Sequence, residues 1–180
     1  RLLEARERLG GRVYTEHHEG ADCDLGAAWF WPQINPRVKA LAEQLGLGIF
    51  PQYQRGGMIF QSPTGFIHRQ AHSWAQNPQP MRFRGGTQAL IRGLTATLDG
   101  QRISLASRVA HLRLDADRVV VKYHPLDEAG QPAEEKSLSA RRVVLALPPR
   151  LLQKQIQFEP ALPAATLAQM QQTDTWMAAH

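Results

Sequence analysis

A chain of 180 residues that is 43% hydrophobic and 21% charged is long enough to bury a core of its own, and this excludes an intrinsically disordered chain. One cysteine, Cys23, excludes an internal disulfide and a cysteine-based zinc site, and fits a reducing, cytoplasmic setting. The net charge of +5 comes from scattered arginines without aromatic interleaving, which argues against a nucleic-acid partner, and no apolar run approaches the ~18 residues that cross a bilayer, which argues against a membrane.

The chain opens on Leu2-Leu3, read as the tail of a strand, with Glu4 at its carboxyl end and a Gly10-Gly11 turn flanked by Arg6, Arg8 and Arg12. In a βαβ unit, a carboxylate at that place accepts hydrogen bonds from the adenosine ribose of a dinucleotide, about 20 residues after the glycine-rich pyrophosphate loop. The chain contains no Gly-x-Gly-x-x-Gly, so half of such a site is predicted and the chain reads as a piece of a larger protein. Residues 13–17 read as a short strand. Asp24-Leu25-Gly26-Ala27-Ala28-Trp29 reads as small residues that let backbone come close to something flat.

Asn35-Pro36 starts a predicted helix with Val38, Leu41, Ala42 and Leu45 on one face and Gly46 as its stop. Residues 49–68 break into short strands around the turns Gly56-Gly57 and Pro63-Thr64-Gly65, and 72–80 read as a loop. Gly85-Gly86-Thr87 opens a second helix through Leu90, Ile91, Leu94 and Leu98, closed by Asp99-Gly100. Residues 103–105, 109–114 and 119–123 read as a β-meander turning at Asp115-Ala116-Asp117, and 125–135 as a hairpin loop. Residues 142–147 read as a buried strand stopped by Pro148-Pro149.

Four segments in this order resemble the flavin-containing amine oxidase family, which includes the monoamine and polyamine oxidases. They are residues 3–13, residues 24–29 with the following helix, Phe83-Arg84-Gly85-Gly86-Thr87-Gln88-Ala89-Leu90, and residues 143–149 running on to Phe158-Glu159-Pro160-Ala161-Leu162-Pro163. The resemblance implies an α/β chain with helices and strands mixed. Residues 1–48 and 81–160 would form a discontinuous, partial FAD-binding domain, Rossmann-like with a β-meander; 49–80 and 161–180 would be part of a substrate-binding domain.

By the same resemblance Glu4 binds the adenosine ribose, Ala5 lies beside it, and Arg6 and Arg12 lie along the ribose and phosphates. Gly11 supplies close backbone approach, Gly26, Ala27, Ala28 and Trp29 pass the flavin ring, and Val109 meets the adenine through its backbone. Read from the residues alone, without the motif order, Glu4 reads instead as an acid on a surface helix with Arg8 four residues on, Arg12 as a solvated turn residue, and Val109 as plain core.

The implied reaction is transfer of a hydride to the flavin from the carbon beside the nitrogen of a small-molecule amine, with oxygen as acceptor and hydrogen peroxide as product. FAD-dependent desaturases and protoporphyrinogen oxidases share the opening motif and are the near alternative; a truncated, non-catalytic binding module is the other class. The family's lysine near the flavin falls beyond residue 180 by the match of residues 175–180, so no catalytic residue is named. The chain alone is expected to hold FAD weakly. The loop from Ala71 to Pro80 is shorter than the helical insertion usual in the family. His17-His18 and the pair His68 and His72 lack a third ligand at usual spacing, so no metal is expected. Trp29, Trp31 and Trp74 read as core or cavity wall, and Cys23 between two aspartates as unreactive.

Overall fold

The structure, a computed structural model, describes residues 1–71 and 77–174. In chain order its elements are Leu2–Leu3 (β1), Thr15–His18 (β2), Ala21–Asp24 (β3), Pro36–Gln44 (α1), Ile49–Pro51 (β4), Met58–Gln61 (β5), Ile67–Gln70 (β6) and Met81–Phe83 (β7). Then come Gln88–Ala96 (α2), Ile103–Ser104 (β8), Ser107–Leu114 (β9), Val119–Pro125 (β10), Lys136–Ala140 (β11), Pro149–Gln155 (α3), Gln157–Glu159 (β12) and Ala164–Gln172 (α4). The chain divides into two compact units, one of Arg1–Leu9 with Gln101–His180 and one of Gly10–Gly100.

In the first unit the predicted meander forms in part: 109–114 and 119–123 pair as β9 and β10, whereas 103–105 do not join them, because Ile103-Ser104 pair parallel with β1 in a separate sheet. The Asp115 N–H donates to the Arg118 carbonyl at 2.8 Å and closes the turn between β9 and β10. β11 adds antiparallel to β10 and β12 adds parallel to β9, giving the order β11-β10-β9-β12. Register puts Leu112 opposite Val121, and both turn inward to pack with Leu152 and Ile156. Leu3, Val109, Leu138, Phe158 and Met170 extend this core.

Here we expect Leu152→Ala, at a site 6% exposed, to lower stability by about 2 to 5 kcal/mol in a urea titration of the full-length polypeptide. Leu151→Ala, whose side chain is 37% exposed, should cost well under half as much. Equal losses would show that the core lies elsewhere.

The predicted strand at 142–147 does not form. Among the described residues it pairs with no strand, and Val144 is 90% exposed. An apolar run becomes a strand only where a neighbour supplies ladder hydrogen bonds, and the edges of this sheet are β11 and β12. Pro148-Pro149 also does more than stop a strand. Pro149 sits in the first turn of α3, where its missing N–H costs no helix hydrogen bond. α3, β12 and α4 were not predicted.

In the second unit β2 and β3 form a hairpin across Glu19-Gly20, both with positive φ (49° and 80°), as a tight two-residue turn requires. α1 begins at Pro36 and ends before Gly46, as predicted, and buries Ala42 against Phe30 and Phe83. Those two rings stack with centroids 4.8 Å apart, Phe83 coming from β7, which pairs with β4. α2 ends at Ala96, short of the predicted Leu98. The Thr97 N–H turns to the Leu94 carbonyl, and the hydroxyls of Thr95 and Thr97 take the carbonyls of Ile91 and Leu94 at 2.7 Å. β5 and β6 form a hairpin around the predicted turn Pro63-Thr64-Gly65.

Candidate cofactor site

β1 runs parallel to β8, and Glu4 stands at the carboxyl end of the pair. The Glu4 N–H donates to the Ser104 carbonyl at 2.9 Å, and the Glu4 carbonyl accepts the Ser107 N–H at 2.8 Å. The side chain folds over the next residues, with Oε1 accepting the Arg6 N–H at 2.8 Å. Residues 5–9 are bends, so the reading of Glu4 as an acid on a surface helix is overturned. A ligand that needs a carboxylate acceptor at the end of a parallel strand is fitted by this arrangement, and the adenosine ribose of FAD is such a ligand.

Val109 lies in β9, two residues past Ser107, with its side chain against the Leu112 core. A register shift in the β9–β10 ladder falls beside it, since Val109 faces Tyr123 while His111 faces Lys122. The core reading holds for its side chain. The structure thus brings Glu4, Ala5, Arg6 and Val109 together in the first unit, through the bonds of Glu4 and Arg6 to the turn at Ala106 and Ser107.

The other predicted residues lie in the second unit. Gly11 has φ +56° and open space where a Cβ would stand, and Arg12 is an exposed turn residue. The Leu25 and Gly26 N–H groups donate to the Tyr14 carbonyl at 2.9 and 3.2 Å, and the Ala27 N–H to the Arg12 carbonyl at 3.2 Å. A Cβ on Gly26 would lie 2.1 Å from that Arg12 oxygen. The close approach expected at Gly26 is therefore one between two stretches of this chain's own backbone. Beyond it Ala27 is exposed, Ala28 half-buried, and the Trp29 ring 53% exposed, with Nε1 donating to Gln52 Oε1 at 3.0 Å.

Sequence reasoning missed Asp24. Its side chain is fully buried, and Oδ1 accepts the Thr15 hydroxyl at 2.6 Å, the Thr87 N–H at 2.8 Å and the Thr87 hydroxyl at 3.0 Å. Arg82 Nη2 donates to Oδ2 at 3.1 Å. Burial raises the carboxyl pKa, but the hydrogen bonds from Thr15, Thr87 and Arg82 outweigh it and hold the group below its ordinary value. The available signal was Gly86-Thr87, a helix start with no acid of its own nearby. An open cleft of about 270 Å³ reaches this place, lined by Asp22, Asp24, Phe50, Arg82, Arg84 and the Gly85-Gly86 turn.

Cys23, on the alternate side of β3, is exposed. Among the described residues no three His, Cys, Asp or Glu gather as metal ligands, and no helix is long and apolar enough to cross a membrane. His72, Trp74 and residues 175–180 lie outside the described residues.

Residues 1–62 and 54–177 match the family model for flavin containing amine oxidoreductases, and the chain belongs to that family. Putrescine oxidase of Kocuria rosea is 31% identical over 101 residues, 55% of this chain and 19% of that protein. Nicotine dehydrogenase of Pseudomonas putida is 47% identical over 49 residues, 27% of this chain and 10% of that protein. Among solved structures, cyclohexylamine oxidase from Brevibacterium oxydans superposes with a TM-score of 0.73 at 17% identity, over 94% of this chain and 56% of that one. Putrescine oxidase bound to putrescine gives 0.70 at 18%, over 94% and 57%. The chain therefore spans little more than half the length of these structures, and its fold is that of a partial FAD-binding α/β domain.

Proposed function

We propose that the protein carrying this chain oxidises a small amine to the imine with FAD, passing the electrons to oxygen as hydrogen peroxide. The observation that carries the reading is Glu4, placed by parallel pairing of β1 and β8 at a strand's carboxyl end, in a chain matched to a flavin containing family along most of its length. Names of similar proteins agree on the substrate class, since putrescine, cyclohexylamine and nicotine are all amines.

In this reading Glu4 accepts the ribose hydroxyls, with Ala5 beside it and Arg6 and Arg12 toward the ribose and phosphates. Gly11 allows backbone approach, Val109 faces the adenine through its backbone, and residues 26–29 pass the flavin ring. FAD, when bound, supplies the hydride acceptor. The chain's own contribution is to hold it: a charge-assisted acceptor at Glu4, positive charge at the two arginines, and a backbone path at 24–29 pinned to Arg12 and Tyr14. By role, residues 1–48 and 81–160 serve the cofactor and 49–80 and 161–180 the substrate, a division separate from that into compact units. The setting is cytoplasmic.

The test is anaerobic titration of the full-length holoprotein with mono-, di- and polyamines. Bleaching of the flavin by an amine, with recovery and peroxide on admitting air, is expected. Bleaching by a polyene or a porphyrinogen and by no amine would move the protein to another reaction, and an amine-bleached flavin that air does not restore would remove oxygen as acceptor. In the same protein Glu4→Ala should weaken FAD binding by about 1.5 to 3 kcal/mol, roughly ten- to a hundredfold, and Glu7→Ala much less. Apoprotein titrations giving equal affinities would take Glu4 out of the site.

A further inference from the structure

Arg84-Gly85-Gly86-Thr87 followed by α2 has the make-up of an anion-binding turn, with two glycines at positive φ, the N-terminal amides of a helix and arginines nearby. Its amides are already taken from within the chain. The Thr87 N–H goes to Asp24 and the Gln88 N–H to Thr15 Oγ1 at 3.0 Å, and that same hydroxyl donates to Asp24. The fit leaves no slack, because a Cβ on Gly86 would lie 2.2 Å from Thr15 Cγ2 and 2.8 Å from Asp24 Oδ1. Asp24 is thus the built-in anion of the turn, joining β2 through Thr15, β7 through Arg82 and α2 through Thr87.

Asp24 is also the residue from which the segment 25–29 departs. That segment is held along its length by the Tyr14 and Arg12 carbonyls, at its far end by the bond of Trp29 to Gln52 and the pairing of Phe30 with Met81, and at its start by Asp24, whose side chain is anchored to Thr15, Arg82 and Thr87. We propose that Asp24 is the positioning residue of the cofactor segment, its buried carboxylate setting where Gly26, Ala27, Ala28 and Trp29 stand against the flavin. This rests on the reading of 26–29 as the flavin-passing segment. In this assignment Asp24 acts through the backbone that follows it.

The experiment uses the full-length holoprotein and reads FAD affinity and the visible flavin band. In Asp24→Ala the dissociation constant for FAD should rise about tenfold and the band should move toward that of free flavin. Formate carries the missing carboxylate and can reach the vacated place through the cleft beside Arg82 and Arg84, so it should reverse both changes in Asp24→Ala and leave the wild type unchanged. Leu152→Ala serves as a variant destabilised elsewhere and should keep the wild-type band. Asp24→Ala with a lowered melting temperature but wild-type band and affinity would overturn the proposal.

Should Asp24→Ala not fold, Thr87→Val removes one hydroxyl donor and keeps the carboxylate. A smaller shift in the same direction is then expected, and no shift would overturn the proposal. Trp29→Phe separates the role of Asp24 from that of residues 26–29. If it moves the band while the Asp24 and Thr87 variants do not, the cofactor reading stands and Asp24 is merely structural; if none moves it, the cofactor reading of 26–29 falls and takes the proposal with it.

Discussion

Gly26→Ala should cost the full-length polypeptide about 3 kcal/mol or more, a large loss for a single added methyl group. The added Cβ would stand 2.1 Å from the Arg12 carbonyl oxygen and 3.0 Å from the Tyr14 nitrogen, both backbone atoms. A flexible side chain could swing away from such a contact. Here the relief must come from breaking the bonds that the Ala27 N–H makes to Arg12 and the Leu25 and Gly26 N–H groups make to Tyr14. Gly11→Ala is the comparison. It meets nothing within 4 Å and suffers only from φ +56°, a cost of about 1 to 2 kcal/mol. Thermal melts in which Gly11→Ala falls as far as Gly26→Ala would show that the crossing of 26 over 12 is not as described.

Asp24→Asn should lower stability by about 3 to 5 kcal/mol at neutral pH, since a buried acceptor with four donors becomes a neutral amide whose NH₂ opposes one of them. The loss should depend on pH with a definite sign. The folded carboxyl titrates below its ordinary value of 3.8, so its contribution is fully present above that value and is lost as pH falls through the lower folded pKa. The gap between wild type and Asp24→Asn should be constant down to about pH 5 and close below 3.8. Urea titrations across this range read it directly, and a gap still fully open well below 3.8 would mean that the ionised form is not what the site holds.

Helix α1 was legible because its signals are local, with Pro36 in the first turn, four apolar residues at helical spacing and Gly46 beyond the end. The β9–β10 pair of the meander was legible for the same reason, its β-branched runs lying on either side of an Asp-Ala-Asp turn, whereas the place of 103–105 beside β1 was not. Glu4 was legible as a carboxylate at a strand end, although only the parallel pairing with Ile103-Ser104 makes that strand one at whose carboxyl end a ligand is expected. The strand proposed at 142–147 was misread because composition alone carried it. Apolar content sets what prefers burial, but a partner's N–H and C=O groups decide whether a strand exists.

What the sequence by itself determined is therefore local: turn glycines, helix starts and stops, strand periodicity, and the motif order that points to a flavin family. What only the tertiary structure decided is which groups meet. Thr15, Arg82 and Thr87 stand 9, 58 and 63 residues from Asp24, and no short-range pattern announces that they share one buried carboxylate. Nor does the spelling of Gly26 say that its missing side chain makes room for the Arg12 carbonyl. The physical reason is common to both. Burial and hydrogen bonding act between atoms brought close by the whole fold, whereas propensity and capping act along a few consecutive residues.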